Sequence, residues 1–308
     1  MGRLRVVFAF ILLSLIWGSS YLFIRLGLRQ LTPVSLVALR LLFGALGIYL
    51  IVLVRRERLA IPRELLPRAI LIGTINTTIP FLLISWGETH ITSGLASVLN
   101  STTPIFAVLV AGILLHDEPV TVSRLGGVLV GIVGVVVLAS GDFGATVSWV
   151  GLAGQGAVVL AAICYAFGPV LVRRWMRSVS ATTLTTYTLT AAMIETVVIS
   201  ALFSRPPLPP DPLSWFSTAW LGLLGSALGY VLYYFIIQSW GAARGTLVTY
   251  MLPVVGLALG AGILGESLGW RVLGGSALVI LGVVLASLVR RSRSGVPPEP
   301  MPAASDIA

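Results

Sequence analysis

Long apolar runs, separated by short polar or charged segments, follow one another along the whole chain. Ten of these runs have the length that a helix needs to cross a bilayer, about 20 residues each. They lie near 6–28, 33–54, 66–87, 92–115, 120–140, 149–173, 180–203, 214–239, 245–265 and 270–290. A helix satisfies its own backbone hydrogen bonds in hydrocarbon, whereas a membrane barrel would need alternating strands of about ten residues. The pattern therefore predicts an all-α polytopic membrane protein with ten transmembrane helices.

Two stretches of the chain carry the same residues in the same order, about 148–150 positions apart. Each passes from a proline through Ala-Gly-Ile-Leu to a glutamate. The matching pairs are Pro104 and Pro253, 111–114 and 261–264, and Glu118 and Glu266. Because each half holds five helices, an odd number, the second half must enter the membrane from the opposite side. The sequence therefore predicts two inverted five-helix repeats, over 6–140 and 149–290, an arrangement typical of secondary transporters.

The arginines indicate which way the chain lies in the membrane. With the N-terminus in the cytoplasm, fifteen of the twenty arginines fall at the cytoplasmic ends of the apolar runs. Such an excess of basic residues is typical of cytoplasmic loops. We therefore expect a protein of the bacterial inner (cytoplasmic) membrane with both termini in the cytoplasm. The segment 291–308, rich in Pro and Ser, is expected to be a disordered cytoplasmic tail.

Composition narrows the class of protein further. With 57% hydrophobic and 10% charged residues and a mean hydropathy of +1.00, the chain is too apolar for a water-soluble globule, in which about 25% of residues are charged. The net charge of +9 forms no continuous basic face, so nucleic acid is not an expected partner. The single cysteine, Cys164, leaves no disulfide framework and no cysteine metal site. The sequence has no phosphate-binding glycine loop and no metalloprotease motif, and we expect no cofactor and no metal.

Short motifs in the two halves of the chain carry a resemblance to a known family. They are Ile16-Trp17-Gly18-Ser19-Ser20, Arg40, Ser101-Thr102-Thr103-Pro104, the run from Leu114 to Glu118, Pro253 and Ile263-Leu264-Gly265-Glu266. Together they resemble the drug/metabolite transporter (DMT) superfamily, and in particular its EamA-type branch, over about residues 6–290. The resemblance implies ten transmembrane helices, a central cavity and the export or exchange of small metabolites.

Polar and aromatic side chains follow single faces of several helices. In the eighth helix Ser226 and Tyr230 begin a series at four-residue spacing, which places its members along one stripe. We predict that such stripes line a cavity that binds a small polar or amphipathic solute. The predicted substrate-binding residues are Trp17, Asn76, Asn100, Pro104, Tyr165, Tyr230, Tyr234, Gln238, Tyr250 and Pro253. The alternative is that these side chains hydrogen-bond between packed helices, for about 0.6–2 kcal/mol each.

Pro104 and Pro253 occupy equivalent places in the two halves. Each proline removes a backbone donor and so frees a carbonyl one turn earlier in the helix. That carbonyl could bind solute or allow the helix to flex, and the alternative is a static kink that shapes packing. The sequence leaves both alternatives open.

Ionisable side chains at membrane depth need a partner or a role. Arg40 lies about two turns inside the second helix, and Glu88 is its candidate partner; the alternative is that Arg40 snorkels to the headgroups. Glu195 in the seventh helix is the candidate for proton coupling, because an acid in apolar surroundings can carry a proton. The alternative for Glu195 is solvation at the outer surface or a pair with Arg205.

Two further features are expected to be structural. Glu118 and Glu266 stand where one helix ends and the next begins, so we expect them to fix helix N-termini. Glycines at near-helical spacing in the fifth and tenth helices are expected to pack the two halves together or to form a homodimer face. These glycines are Gly127, Gly131, Gly134, Gly274, Gly275 and Gly282.

These observations together predict a secondary transporter and not an enzyme. We expect it to export a small metabolite, an amino acid or a related compound, across the inner membrane by alternating access, with the lipid bilayer and the small-molecule substrate as its partners. The resemblance implies a cavity made mainly by helices one, three, four, six, eight and nine. The alternative from another class is an intramembrane enzyme acting on a lipid or prenyl substrate, which would need acids or histidines clustered at one membrane depth. A receptor or scaffold that kept the fold is a third alternative.

Overall fold

The computed structural model describes residues 2–114, 122–139, 149–176, 178–203, 211–240 and 248–287. All regular secondary structure in this part of the chain is helical, with no strand in it. Helices long and apolar enough to cross a membrane cover Leu4–Gly27, Pro33–Arg55, Arg63–Gly87, Trp149–Val172, Ala181–Phe203 and Pro212–Tyr233. Shorter apolar helices cover Leu125–Leu138, Val248–Leu264 and Trp270–Leu285. The protein is therefore all-α and polytopic. The segment 291–308 and Glu118 lie outside the described residues.

The helical segments follow the predicted apolar windows to within a few residues. In chain order the α-helices are α1 (Gly2–Gly27), α2 (Pro33–Arg55), α3 (Leu66–Gly73), α4 (Ile79–Gly87), α5 (Ser93–Asn100), α6 (Thr103–Leu114), α7 (Val122–Ala139), α8 (Trp149–Trp175), α9 (Ala181–Phe203), α10 (Pro212–Ala219), α11 (Gly229–Trp240), α12 (Val248–Leu264) and α13 (Trp270–Ser287). A 3₁₀ turn, Arg63–Leu65, precedes α3. The π-helical stretch Thr74–Thr78 joins α3 to α4, and the π-helical stretch Trp220–Leu228 joins α10 to α11.

Side chains at the N-caps fix where several helices begin. The Thr32 hydroxyl accepts a hydrogen bond from the N–H of Ser35 at 3.2 Å at the start of α2. Thr92 caps α5 in the same way. Asp211 caps α10 and accepts from the N–H of Ser214 at 2.6 Å. Each cap supplies an acceptor to an N–H that the first helical turn leaves unpaired.

Helices α7 and α13 pack against each other along an extensive glycine-lined contact. A Cβ added at Gly134 would lie 2.7 Å from the backbone nitrogen of Val279, and one added at Gly275 would lie 3.1 Å from the carbonyl oxygen of Gly134. The two backbones therefore touch directly, as small residues allow. The glycine faces that the sequence assigns either to joining the halves or to a dimer pack against each other within one chain.

Helix α2 packs against the π-helical stretch Trp220–Leu228 and against α9. At this contact a Cβ on Gly222 would lie 2.8 Å from the backbone nitrogen of Gly44, so glycines again allow a close approach. Leu41 is fully buried in the core of the bundle. This packing places Arg40 directly beside the π-helical stretch.

The outer surface of the bundle is apolar. Large side chains that point outward from several helices are exposed, among them Leu46, Leu53, Val136, Leu202 and Phe203. A monomeric protein in water rarely exposes contiguous apolar surface on this scale. The outer faces are therefore suited to contact hydrocarbon.

Candidate functional site

Aromatic and polar side chains meet inside the bundle, between α1, α2, α8, α11 and the second π-helical stretch. Trp17 of α1 donates its indole N–H to the carbonyl oxygen of Gly225 at 3.0 Å. Its ring packs edge-on against Tyr230, with centroids 6.2 Å apart, and tilted against Tyr233 at 5.2 Å. Tyr230 also hydrogen-bonds Thr77 in the first π-helical stretch. The central cluster, as we call it, comprises Trp17, Tyr21, Arg40, Tyr165 and Tyr230. It joins segments from both halves of the sequence.

Arg40 is held inside the bundle. Only 6% of its surface is exposed, so its head group does not reach the headgroup region by snorkelling. Its Nε donates to the Ser226 hydroxyl at 3.3 Å, and its Cζ lies 3.6 Å from the centroid of the Phe81 ring. The predicted ion pair with Glu88 is wrong, because no carboxylate oxygen in the described part of the chain lies within 4.0 Å of this guanidinium. Sequence reasoning missed Ser226 as the partner, since it lies 186 positions away.

A second polar contact ties α1 to α5. Asn100, the last residue of α5, donates a side-chain N–H to the Tyr21 hydroxyl at 2.8 Å, and both residues are buried. The side-chain oxygen of Asn100 is buried and has no hydrogen-bond partner among the described residues. An acceptor left unpaired in this way costs about 1–3 kcal/mol, and a donor on a bound solute would remove that cost.

The fourth apolar span is broken just before Pro104, between the end of α5 and the start of α6. Three consecutive hydroxyls, at 101–103, donate to the carbonyl oxygens of 98–100 at 2.6–2.7 Å. The carbonyl of Asn100, which Pro104 leaves without its helical donor, accepts from the Thr103 hydroxyl at 2.7 Å. Because this carbonyl is hydrogen-bonded within the protein, the structure favours the bend over a solute-binding carbonyl.

Asn76, in the first π-helical stretch, contacts α8, the helix that carries Tyr165. The side chain of Asn76 fills the space that a Cβ on Gly168 would occupy. Tyr165 is half-buried on α8 and is an electrostatic neighbour of Arg40. Tyr165 therefore belongs to the central cluster, and Asn76 lies next to Thr77, which hydrogen-bonds Tyr230 of that cluster.

The remaining predicted substrate-binding residues fall elsewhere. Tyr250 donates its hydroxyl to the carbonyl oxygen of Val283 at 3.3 Å and so bonds α12 to α13. Pro253 is buried within α12. The side chains of Tyr234 and Gln238 lie outside the described part of the structure. The two equivalent prolines differ in their surroundings. The fourth span is broken just before Pro104, whereas α12 continues without a break through Pro253.

Glu195 of α9 binds both ends of the first π-helical stretch. Its two carboxylate oxygens accept hydrogen bonds from the hydroxyls of Thr74 and Thr78, each at 2.5 Å. Thr74 and Thr78 are the first and last residues of that stretch. The sequence places both threonines on one face of the third helix but does not reveal their acceptor, which lies more than 100 positions away. Arg205, the partner considered from the sequence, lies outside the described residues.

Glu266 lies at a helix N-terminus. Its carboxylate accepts hydrogen bonds from the backbone N–H groups of Ser93 at 2.8 Å and Gly94 at 2.9 Å. These are the first two residues of α5. The carboxylate thus pairs with donors that the first turn leaves free, although the helix it serves is α5 and not the helix that follows it in sequence.

Glu88 follows directly after α4, and its side chain is fully buried. Neither of its carboxyl oxygens has a hydrogen-bond partner among the described residues. The guanidinium of Arg25 donates to the backbone carbonyl of Glu88. Burial raises the pKa of the Glu88 carboxyl well above its ordinary value, and the positive charge of Arg25 opposes this rise. The surroundings therefore favour the protonated, uncharged form of Glu88.

A cavity of about 460 Å³ opens at the same end of the bundle. It is lined by Arg25, Leu28, Arg29, Thr89, Thr92, Leu264 and Glu266. The cavity is separate from the central cluster, and its carboxylate is already bound to the start of α5. Among the described residues, no group of three His, Cys, Asp or Glu side chains is placed to hold a metal ion. The central cluster, by contrast, offers a solute ring faces, hydrogen-bonding groups and one cation.

Sequence comparison matches the chain twice to one family. A profile described as the EamA-like transporter family matches residues 4–140 and again residues 152–288. The "Probable terminal-alkyne amino-acid exporter" of Streptantibioticus cattleyicolor is 32% identical over 309 residues, which cover 95% of this chain and 98% of the relative. An "Uncharacterized transporter" of Archaeoglobus fulgidus is 27% identical over 276 residues, covering 87% and 94%. The "Uncharacterized inner membrane transporter YedA" of Escherichia coli strain K12 is 26% identical over 280 residues, covering 90% and 88%.

A solved crystal structure shares the architecture of the chain. It superposes with a TM-score of 0.66 at 20% sequence identity. The match covers 92% of this chain and 96% of the other. At this identity the likeness shows the fold alone.

Proposed function

Because the chain belongs to the EamA-like transporter family, within the DMT superfamily, we propose that it exports a small metabolite, an amino acid or a related compound, by alternating access. The protein is an integral inner-membrane transporter and not an enzyme, as its family and its relatives are transporters. The intramembrane enzyme considered from the sequence is therefore not favoured.

The observation that carries this proposal is the central cluster. It brings together a buried cation, Arg40, the ring of Phe81 that packs against it, and the edge-to-face rings of Trp17 and Tyr230 inside the bundle. Buried charges at membrane depth are costly and mark substrate pathways. Apolar walls with a few convergent polar groups are typical of small-molecule sites.

An amphipathic solute fits this combination of groups. The rings can cover its apolar part, while Arg40, the Asn100 side-chain oxygen and the tyrosine hydroxyls bind its polar part. The relative from Streptantibioticus cattleyicolor is named as an amino-acid exporter, which supports the same class of compound here. Amino acids have both an apolar side chain and charged groups, so they meet both requirements.

We assign the chain ten transmembrane helices in two inverted repeats, over 6–140 and 149–290. Two observations support this architecture. The family profile matches twice, and a π-helical stretch interrupts the third span of each half, at Thr74–Thr78 and at Trp220–Leu228. An interruption at the same place in both halves is expected of a duplicated unit.

The packing of the helices supports the same two-fold relation. Equivalent helices of the two halves contact each other in three places: α2 with α9, α7 with α13, and α5 with α12. A fourth contact, of α1 with α12, has its counterpart in the contact of α8 with α5 and α6. Alternating access then consists of one half rocking against the other about the central cluster. From the arginine distribution we propose that both termini lie in the cytoplasm.

Purified protein in proteoliposomes tests the proposal with a panel of radiolabelled amino acids. We expect flux for at least one of them and about tenfold less in Trp17→Ala, equivalent to about 1.4 kcal/mol, because the variant loses the bond to Gly225 and the ring contacts. Trp86→Ala is the matched control, since Trp86 is 41% exposed and lies outside the cluster. Absence of flux for the whole panel, or wild-type flux in Trp17→Ala, would count against the proposal.

We propose Glu195 as the proton carrier. The proteoliposome flux assay tests this when a pH gradient is applied across the membrane. We expect Glu195→Gln to transport solute without dependence on a pH gradient, because the amide cannot bind and release the proton. The amide can still accept from one of the two threonines, so the first π-helical stretch keeps part of its support. Retained dependence on the gradient would leave Glu195 with a structural role only.

A further inference from the structure

Most of the hydrogen-bonding capacity of Arg40 is unused. A guanidinium carries five N–H donors and cannot be deprotonated in a protein. Among the described residues, Arg40 makes one hydrogen bond, from Nε to Ser226 at 3.3 Å. The Phe81 ring lies against the face of the guanidinium, 3.6 Å from Cζ. Stacking occupies the face only, so the donors in the plane of the group remain available.

No acidic partner balances this charge. The ion pair within the described part of the chain joins Arg55 to Glu57 at 3.5 Å, and both of these residues are partly exposed. The groups that surround Arg40 electrostatically are the hydroxyls of Tyr165, Tyr230 and Tyr21, followed by Glu88. A buried charge without a counter-charge is destabilising, and an anion that binds it would recover that free energy.

A glycine, Gly225, lies next to one of the unused donors of Arg40. A Cβ at Gly225 would lie 3.8 Å from Nη2 of Arg40 and 3.5 Å from the Ser20 hydroxyl. Gly225 also gives its carbonyl to Trp17, so the indole lies at the same place. Two parallel N–H groups on a planar fork match the two oxygens of a carboxylate.

We propose that Arg40 anchors the carboxylate group of the transported solute. The inference rests on the proposed transport function and adds a chemical class to it: small carboxylates, with the apolar part of the molecule against Trp17 and Phe81. A purely structural strut between α2 and the second π-helical stretch would need only the single bond to Ser226. It would not discriminate between solutes that differ only at the carboxylate.

Matched pairs of compounds test the anchor. The probes are L-leucine, L-phenylalanine and the other common amino acids, each compared with its primary amide, which lacks the carboxylate charge. Ligand-induced shifts of the melting temperature are measured on purified full-length protein, and counterflow is measured in proteoliposomes. We expect at least one acid to stabilise the protein and to be transported, and its amide to bind at least about tenfold more weakly, the loss of a charge-assisted pair.

Variants separate the anchor from a structural role. Arg40→Gln should remove the difference between acid and amide, while Arg40→Lys, which keeps the charge without the fork, should retain part of it. Arg68→Gln is the matched control, because Arg68 is exposed and its guanidinium lies 5.9 Å from the ring of Trp175. If Arg40→Gln does not fold, the comparison of acid with amide in the wild-type protein still tests whether the carboxylate is recognised, and Arg40→Lys tests the part of Arg40 in that recognition.

The outcomes distinguish the anchor from the transport proposal. Amides that bind as tightly as acids, or a complete set of acids that fails to shift the melting temperature, would overturn the anchor. Acids that bind more tightly than their amides but do not cross the membrane would support the anchor and overturn the transport function.

Discussion

Glu88 is the residue whose environment links the stability of the fold to pH. Its carboxyl is enclosed without a hydrogen-bond donor among the described residues, and burial raises its pKa. The folded chain therefore binds this proton more tightly than the unfolded chain, in which the pKa is about 4.3. The stabilisation is complete below that pH and is lost as the pH rises toward the pKa of the folded state.

We expect the melting temperature of the purified wild-type protein in detergent to fall as the pH rises from about 5 to about 8. Glu88→Gln cannot ionise and should show a shallower fall. Glu57→Gln is the control, since Glu57 forms a partly exposed pair with Arg55 and should leave the slope unchanged. A slope in Glu88→Gln equal to that of the wild type would contradict the assignment.

At the residue scale the sequence singles out several residues of the central cluster but not their contacts. Arg40, Trp17 and Tyr230 stand out in apolar spans because lipid does not favour such side chains. Their contacts join positions far apart, such as Arg40 with Ser226, 186 residues away. Helical spacing relates only residues three or four apart, so it cannot reveal these contacts.

The close contact of α7 with α13 is an element-scale feature with a sharp consequence for mutation. Gly134→Ala places a methyl group 2.7 Å from the backbone nitrogen of Val279, and backbone atoms cannot turn aside as a side chain can. We expect a loss of about 1–3 kcal/mol of stability, seen as a lower melting temperature.

Gly126→Ala on the same helix is the matched control. Nothing lies within 4 Å of a Cβ at Gly126, so the change should leave the melting temperature equal or raise it, because alanine favours a helix by up to about 1 kcal/mol. Equal stability of the two variants would show that the backbones are not in the contact described.

At the element scale the apolar pattern predicts nearly all the helical segments. It does not predict where the helices depart from α geometry. The length of each run follows from the thickness of hydrocarbon that it must cross. Whether a turn closes in the α or the π geometry leaves no trace in that pattern. Pro80, which cannot donate to the carbonyl of Asn76, is the sequence signal for the stretch Thr74–Thr78. No proline marks the stretch Trp220–Leu228.

At the scale of the whole molecule, the proposed inversion of the two halves makes a prediction for a pair of equivalent positions. Gln30 and Ser178 are 148 residues apart, exposed, and lie in the first connection of each half. In a Cys164→Ser background, we expect a membrane-impermeant maleimide on intact cells to label Gln30→Cys but not Ser178→Cys. Ser178→Cys should react only after the membrane is opened. Labelling of both positions from the same side would contradict the inversion.

The proposed two-fold plan is the feature that the sequence indicates most directly, because matched residues recur about 148–150 positions apart. Matched positions such as Pro104 and Pro253 predict two equivalent halves, and the family profile matches each half separately. The equivalence is not complete at finer detail. The span before Pro104 is broken, whereas α12 runs through Pro253 without a break.

The three hydroxyls at 101–103 supply hydrogen-bond donors to the carbonyl groups at the break in the fourth span. Each carbonyl from 98 to 100 is met by an oxygen from the same segment, as water would meet it outside the bilayer. An interruption whose carbonyls are hydrogen-bonded in this way is tolerated within the hydrocarbon of a bilayer without bound water. The helix can therefore be interrupted here without a water molecule to pair these carbonyls.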